Sequence, residues 1–155
     1  MASNNYPLGF YFMLSLKGDD AAFQEVSGLS KELGIEEVVS GGENRFKYRL
    51  PTTSSSQNLV LKRALVPGGS DLVDWCITCI DGGLGSAIQT NDVSLSLLDA
   101  SGDILVMWTF HKAYPIKYSV SDLKSQENAI VIESMELAYT YFDISESTNV
   151  SNLYD

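Results

Sequence analysis

Val93-Ser94-Leu95-Ser96-Leu97-Leu98-Asp99-Ala100-Ser101-Gly102-Asp103-Ile104-Leu105-Val106-Met107-Trp108-Thr109-Phe110 is the stretch on which the fold turns. Val93, Leu95 and Leu97 alternate with Ser94 and Ser96, the period of a strand with one apolar face and one wetted face. Leu98 to Asp103 supplies turn residues, and the apolar run 104–110 returns. The stretch therefore predicts an antiparallel hairpin. A second alternation sets Leu59, Leu61, Arg63 and Leu65 against Val60, Lys62 and Ala64, and predicts another half-buried strand.

The same grammar extends along the chain. Glycine-bearing breaks at Gly18, Gly28, Gly34, Gly41-Gly42, Gly68-Gly69, Gly82-Gly83-Leu84-Gly85 and Gly102 separate short aliphatic and aromatic segments, the pattern of an all-β domain. Residues 10–16 and 23–26 are expected to pair, 33–39 to add a strand, and 129–142 to form a last long strand with protein on both faces. One segment departs from period two. In 70–80 the apolar residues Leu72, Val73, Cys76, Ile77 and Ile80 fall on one helical face. Ser70 suits the N-cap, Asp71 the first turn, and Asp81-Gly82-Gly83 the end, so a short helix is expected over 70–81. The expected fold class is mainly β: a small antiparallel sandwich or barrel with one flanking helix. It also carries a long extended loop or hairpin over 40–58.

The chain has 155 residues, 45% of them hydrophobic. That suits one domain with a core at about 6–142 and a polar tail over 143–155. Charged residues make up 19%, below the roughly 25% of ordinary soluble domains. They are lopsided, 10 Lys+Arg against 20 Asp+Glu, for a net charge of −10. A field of that sign disfavours sequence-specific nucleic-acid binding. No apolar run is long enough to span a bilayer, and the start lacks the basic region of a signal peptide. Synthesis in a cytoplasm, with no direct membrane anchor, is the expectation.

The cations are segregated. Arg45, Lys47, Arg49, Lys62 and Arg63 place five of the ten within nineteen residues, and 40–63 holds only one carboxylate. Arg45, Lys47 and Arg49 alternate with Phe46, Tyr48 and Leu50, so an extended strand shows cations on one face and apolar groups on the other. The plainer reading is the solvated face of a hairpin. The functional reading is a docking arm for an acidic surface, for which a second copy of the acidic body is the natural partner. Such a contact is head-to-tail and propagates.

Catalytic motifs fare worse. Trp75-Cys76-Ile77-Thr78-Cys79 contains a CxxC spacing, and a thiol redox protein using Cys76 and Cys79 is the alternative of a different class. Redox sites place the first thiol at a helix N-terminus, whereas about five helical residues precede Cys76 here. Both thiols are expected to pack inward as small apolar groups. Two cysteines and His111 fall short of the four ligands of a structural zinc site. Pro67-Gly68-Gly69-Ser70 lacks the Lys-Ser/Thr of a P-loop, and Gly82-Gly83-Leu84-Gly85 follows a helix, which is the wrong context for a dinucleotide fingerprint. Asp19-Asp20 and Glu36-Glu37 read as solvated surface. No catalytic residue, cofactor or metal is expected.

An ordered set of segments carries a family likeness. Phe23-Gln24-Glu25-Val26-Ser27-Gly28-Leu29, Gly41-Gly42-Glu43-Asn44 leading to Leu50-Pro51, Leu59-Val60-Leu61-Lys62-Arg63, and the helix around Trp75 come first. Trp108-Thr109-Phe110-His111-Lys112-Ala113-Tyr114-Pro115-Ile116-Lys117 and Ile132-Glu133-Ser134-Met135-Glu136-Leu137-Ala138-Tyr139 follow. Together they resemble the T4-like phage tail tube family, shared with inner-tube proteins of contractile injection systems and related in fold to the type VI secretion tube. The resemblance runs over about 6–142. It implies hexameric rings stacked into a hollow tube, with sheath and baseplate proteins as partners and cargo in the lumen, inside a virion tail or an injection particle. It makes Arg45, Phe46, Lys47, Tyr48 and Arg49 candidate ring-to-ring contacts, with Lys62 and Arg63 as further interface candidates. A tube–baseplate adaptor ring of the same fold is the alternative.

Overall fold

The computed structural model describes residues 9–39, 42, 47–65, 67–85, 87–123 and 130–146. The hairpin on which the reading turned is present. β7 (Asn91–Leu98) pairs with β8, which runs Ile104–Val120. The Asp99 carboxylate accepts the N–H groups of Ser101 and Asp103, each at 2.9 Å, and Gly102 takes a φ of 91°. A short acidic side chain and a glycine thus close the loop by satisfying its own backbone.

β1 (Tyr11–Leu16) turns at Lys17-Gly18 into β2 (Asp19–Phe23), with Leu16 opposite Asp19. Both turn residues have positive φ, 50° and 87°, as the tightest hairpins require. The expected pairing of 10–16 with 23–26 is therefore corrected. The turn is two residues long, so 19–23 pairs with β1. The chain bends at Gln24, whose N–H donates to Lys62 O. β3 (Glu25–Ser27) then crosses to β6 (Leu59–Ala64).

The main sheet runs β2-β1-β7-β8-β9-β6-β3, with β10 also on β8. β9 (Ile132–Ala138) and β10 (Tyr141–Glu146) are two strands where 129–142 was expected to give one. β10 pairs with residues 106–111 of β8, and β9 with residues 114–120. Both breaks fall at one corner. Lys112 has a φ of 54°, and its N–H leaves the ladder to donate to the Asp92 carboxylate at 3.0 Å. Opposite, Thr140 N–H donates to His111 O. At this corner β8 passes from the β2-β1-β7-β8-β10 layer into the β8-β9-β6-β3 layer. Among the described residues the sheet does not close on itself, so the result matches a sandwich and not the barrel form.

Between the layers lie Leu14, Phe23, Leu59, Leu61, Leu95, Phe110, Met135, Leu137 and Phe142, all at most 2% exposed. α1 (Asp71–Gly82) closes this core against β8 and is followed by a short 3-10 turn (Gly83–Gly85). Ser70 is its N-cap, the side chain accepting from Val73 N–H at 3.2 Å. The buried face is rotated from the expected one. Leu72 and Cys76 are buried and Trp75 packs on the core, while Ile77 and Ile80 stay 39% and 38% exposed. The helix meets the sheet through β8, with a smaller contact to β2, so only a narrow stripe is covered.

Candidate functional site

The structure sets one element apart. β4 (Glu32–Val38) and β5 (Tyr48–Ser55) form their own two-stranded sheet, and this hairpin makes no substantial contact with any other element. Its base is pinned by close approach. A Cβ on Gly28, where φ is 90°, would sit 2.0 Å from Asn58 O, and one on Gly34 would sit 2.1 Å from Thr52 Oγ1. Backbone contact at positive φ reserves position 28 for glycine, and a side chain at position 34 would force Thr52 to shift.

Register sorts the hairpin into two faces. Val38 lies opposite Tyr48 and Glu36 opposite Leu50, while Glu37 lies opposite Arg49 and Ile35 opposite Pro51. Val38, Tyr48 and Leu50 therefore share one face, 39%, 52% and 50% exposed. On the other face Lys47 Nζ and Arg49 Nε lie 3.7 and 3.9 Å from the Glu37 carboxylate, all well exposed. Ion pairs this open contribute about 1 kcal/mol or less, so both cations remain available to a partner. Arg45 and Phe46 lie outside the described residues.

The two remaining cations take different places. Lys62 sits on the outward face of β6, in a shallow concavity with Glu25, Lys117 and Glu136. Arg63 turns inward and is 8% exposed. Its Nε donates to Glu133 Oε2 at 2.8 Å and its Nη2 to Ser70 Oγ at 3.4 Å, with the guanidinium 5.0 Å from the Phe23 ring. Tyr118 O–H donates to the other Glu133 oxygen. Arg63 is thus occupied inside the subunit. Parity placed it beside Leu59 and Leu61, and Glu133 arrives across β9 to pair it.

The thiols separate as well. Cys76 is fully buried, and its pKa is pushed up to about 12, first by burial and then by Cys79. A thiol in that state is a poor nucleophile at neutral pH. Cys79 is only partly covered and does not pack inward as expected. It lines a cleft of about 500 Å³ between α1, the Lys17-Gly18 turn and residues 87–91. Asp19, Asp71 and Asp74 lie on this cleft, and a side-chain hydrogen bond from Asp71, with its charge, raises the Asp19 pKa. Its parts come from three separate segments, so no linear motif announces it; the Asp19-Asp20 pair and the Trp75–Cys79 motif were its visible traces.

His111 lies in the middle of β8 at the corner. It stacks on Tyr141 at 4.3 Å, with Nε2 2.8 Å from Asp143 Oδ2 and Nδ1 3.6 Å from Asp92 Oδ2. Among the described residues no group of three or more His, Cys, Asp or Glu could hold a metal ion, and no helix is long and apolar enough to cross a membrane.

The chain belongs to the T4-like virus tail tube protein gp19 family, whose sequence profile matches residues 8–143. That family is a structural component of contractile tails and related injection systems. Among solved structures, a chain of the 6-fold symmetrised anti-feeding prophage baseplate is 25% identical with a TM-score of 0.79. The match covers 96% of this chain and 99% of that one. A chain of the sheath–tube complex of the extracellular contractile injection system PVC, in its extended state, is 23% identical with a TM-score of 0.77, covering 93% and 95%. Hcp1 from Flavobacterium johnsoniae is 18% identical with a TM-score of 0.58, covering 88% and 96%. No curated protein matches the chain.

Proposed function

We propose that the protein is a structural subunit of the inner tube of a contractile tail or injection particle. It forms hexameric rings that stack head to tail around a channel for cargo, inside a sheath and above a baseplate. The carrying observation is the β4–β5 hairpin. Isolated two-stranded sheets are marginal in water, yet this one stands off the body with Leu33, Ile35, Tyr48 and Leu50 half exposed. Such a surface calls for a partner. Lys47, Tyr48 and Arg49 are its ring-to-ring contacts, and the reading extends to Arg45 and Phe46 at the preceding positions. Lys62 is a further contact on the outward face of β6. The reading needs no catalysis and no cofactor.

Edges supply the second support. Among the described residues β2 pairs only with β1, and β10 only with β8. Strand pairing between neighbours in a ring would cover such edges.

Purified protein is expected to give stacked rings by negative-stain microscopy. Lys47→Glu with Arg49→Glu is expected to abolish stacking and leave the circular dichroism spectrum unchanged. Tubes of normal length from that variant would end the docking role. Single rings that never stack would instead favour a tube–baseplate adaptor, a reading that the likeness to a baseplate chain keeps in view.

A further inference from the structure

The β4–β5 hairpin makes no substantial contact with any other element, so packing along its length does not set the angle at which it leaves the body. That angle is settled at its two feet, residues 28–31 and 56–58. Gly28 lies against the Asn58 carbonyl and holds the feet together. Each foot is then tied to the same short link between β9 and β10. On the first, Lys31 Nζ donates to Phe142 O, and the ammonium lies 4.4 Å from the centre of the Phe142 ring. On the second, Gln57 O accepts from the Tyr139 O–H at 2.7 Å. The partners are 111 and 82 residues apart in the chain, so neither bond is part of a local turn.

The link is a firm anchor. Tyr139 and Phe142 both pack on Phe110, with ring centres 4.9 and 5.3 Å away, and on each other at 5.8 Å. Phe110 and Phe142 are buried in the core. Thr140, between the two anchors, donates its N–H to His111 O at the bend of β8. Burial raises the Tyr139 pKa, against a smaller opposing effect of a Ser56 hydrogen bond, so the hydroxyl remains a donor at neutral pH.

A single tie would leave the hairpin free to swivel about one point. Two ties, one beside each of its strands, remove that rotation. A carbonyl accepting from an ammonium is also a stronger tie than a neutral pair. We propose that Lys31 and Tyr139 are positioning residues that fix the angle of the β4–β5 hairpin to the body before any partner is met. A contact element aimed in advance loses less freedom on association. That last consequence rests on the stacking reading, whereas the ties themselves do not.

The angle is read by pulsed electron paramagnetic resonance on the full chain. Spin labels are placed at Glu36→Cys on the hairpin and Asp20→Cys on β2, both exposed positions. Cys79→Ser removes the other accessible thiol, since Cys76 is fully buried. Labelled chains are diluted into excess unlabelled chain with the same tie residues, and the protein left in solution after tubes are pelleted is measured. The expected result is one narrow distance in the parent, broadened by Lys31→Met and by Tyr139→Phe, and most by the two together. Lys31→Arg keeps the charge and the donors and is expected to stay narrow. Circular dichroism spectra are expected to be unchanged throughout. A broad distribution in the parent would overturn the inference, as would a double variant as narrow as the parent. Equal breadth for Lys31→Arg and Lys31→Met would overturn the ammonium tie. By light scattering, the double variant is expected to begin assembling later than the parent at equal concentration. An unchanged onset despite broadened distances would overturn the gain in association. If the parent forms no rings or tubes, the stacking reading falls, and the distances still decide whether the ties aim the hairpin.

Discussion

Arg63 reaches into the core from β6 at a position where strand parity requires an inward side chain. Charge alone predicts the opposite, which is why the residue read from sequence as a surface cation. Its partner Glu133 lies seventy residues away along the chain, and no local pattern links the two. Removing one member of such a pair leaves an uncompensated buried charge, a loss of about 3–5 kcal/mol. Glu133→Gln is expected to show a loss of that order in urea unfolding, and Arg63→Met with Glu133→Leu a smaller one. Tyr118 belongs to the same network. Its pKa is pushed up to about 12, first by burial and then by its hydrogen bond to Glu133. A phenol whose folded pKa is raised contributes stability that is complete below its ordinary value of about 10 and is lost as pH climbs through about 12. Cys76, raised from 9.0 to about 12, acts with the same sign. Tyr118→Phe is therefore expected to flatten part of the alkaline limb of stability against pH and to leave neutral behaviour in place.

At the scale of elements, α1 is held at its start by one hydroxyl with two tasks. Ser70 Oγ accepts from Val73 N–H and from Arg63. Ser70→Ala is expected to cost at least the ~1 kcal/mol of a lost N-cap, measured by the shift of the urea midpoint. The hairpin β4–β5 is the opposite case. Ile35→Ser, more than half exposed on an arm that makes no substantial contact with the other described elements, is expected to change monomer stability by less than about 0.5 kcal/mol. Leu95→Ala, in the core, is expected to cost about 2–5 kcal/mol. The helix cap, the 93–110 hairpin and the β6 alternation were legible because each is written in neighbouring residues. The course of β8 beyond Phe110 was not. Lys112 at positive φ bends the strand without ending it, and the chain runs on through Pro115. Past Ala113 one side of β8 has no partner strand among the described residues, and an edge tolerates a residue with no N–H to donate. The cleft was illegible for a similar reason, since the β1–β2 turn, α1 and residues 87–91 meet only in three dimensions.

For the whole molecule, the low charge content gains a physical sense. In the proposed stack, a subunit whose faces are covered by copies of itself has less surface to hydrate. The charge it keeps is divided between an acidic body and a basic strand, and attraction between those parts is screened by salt. The Debye length falls from ~10 Å at 0.1 M to ~3 Å at 1 M. Assembly followed by light scattering is therefore expected to weaken as ionic strength rises across that range. An assembly indifferent to salt would shift the weight to the apolar residues Val38 and Leu50.

The corner in β8 has a mechanical consequence. One unbroken polypeptide belongs to both layers of the sandwich, with β9 and β10 laid along it on either side of the bend. Force entering the domain through one layer passes to the other along covalent bonds. Sliding the layers apart would have to shear two strand ladders at once, instead of peeling one rung at a time. A subunit pushed end-on as part of a rod would deform as a single stiff body, with any give confined to the arm proposed to join it to the next.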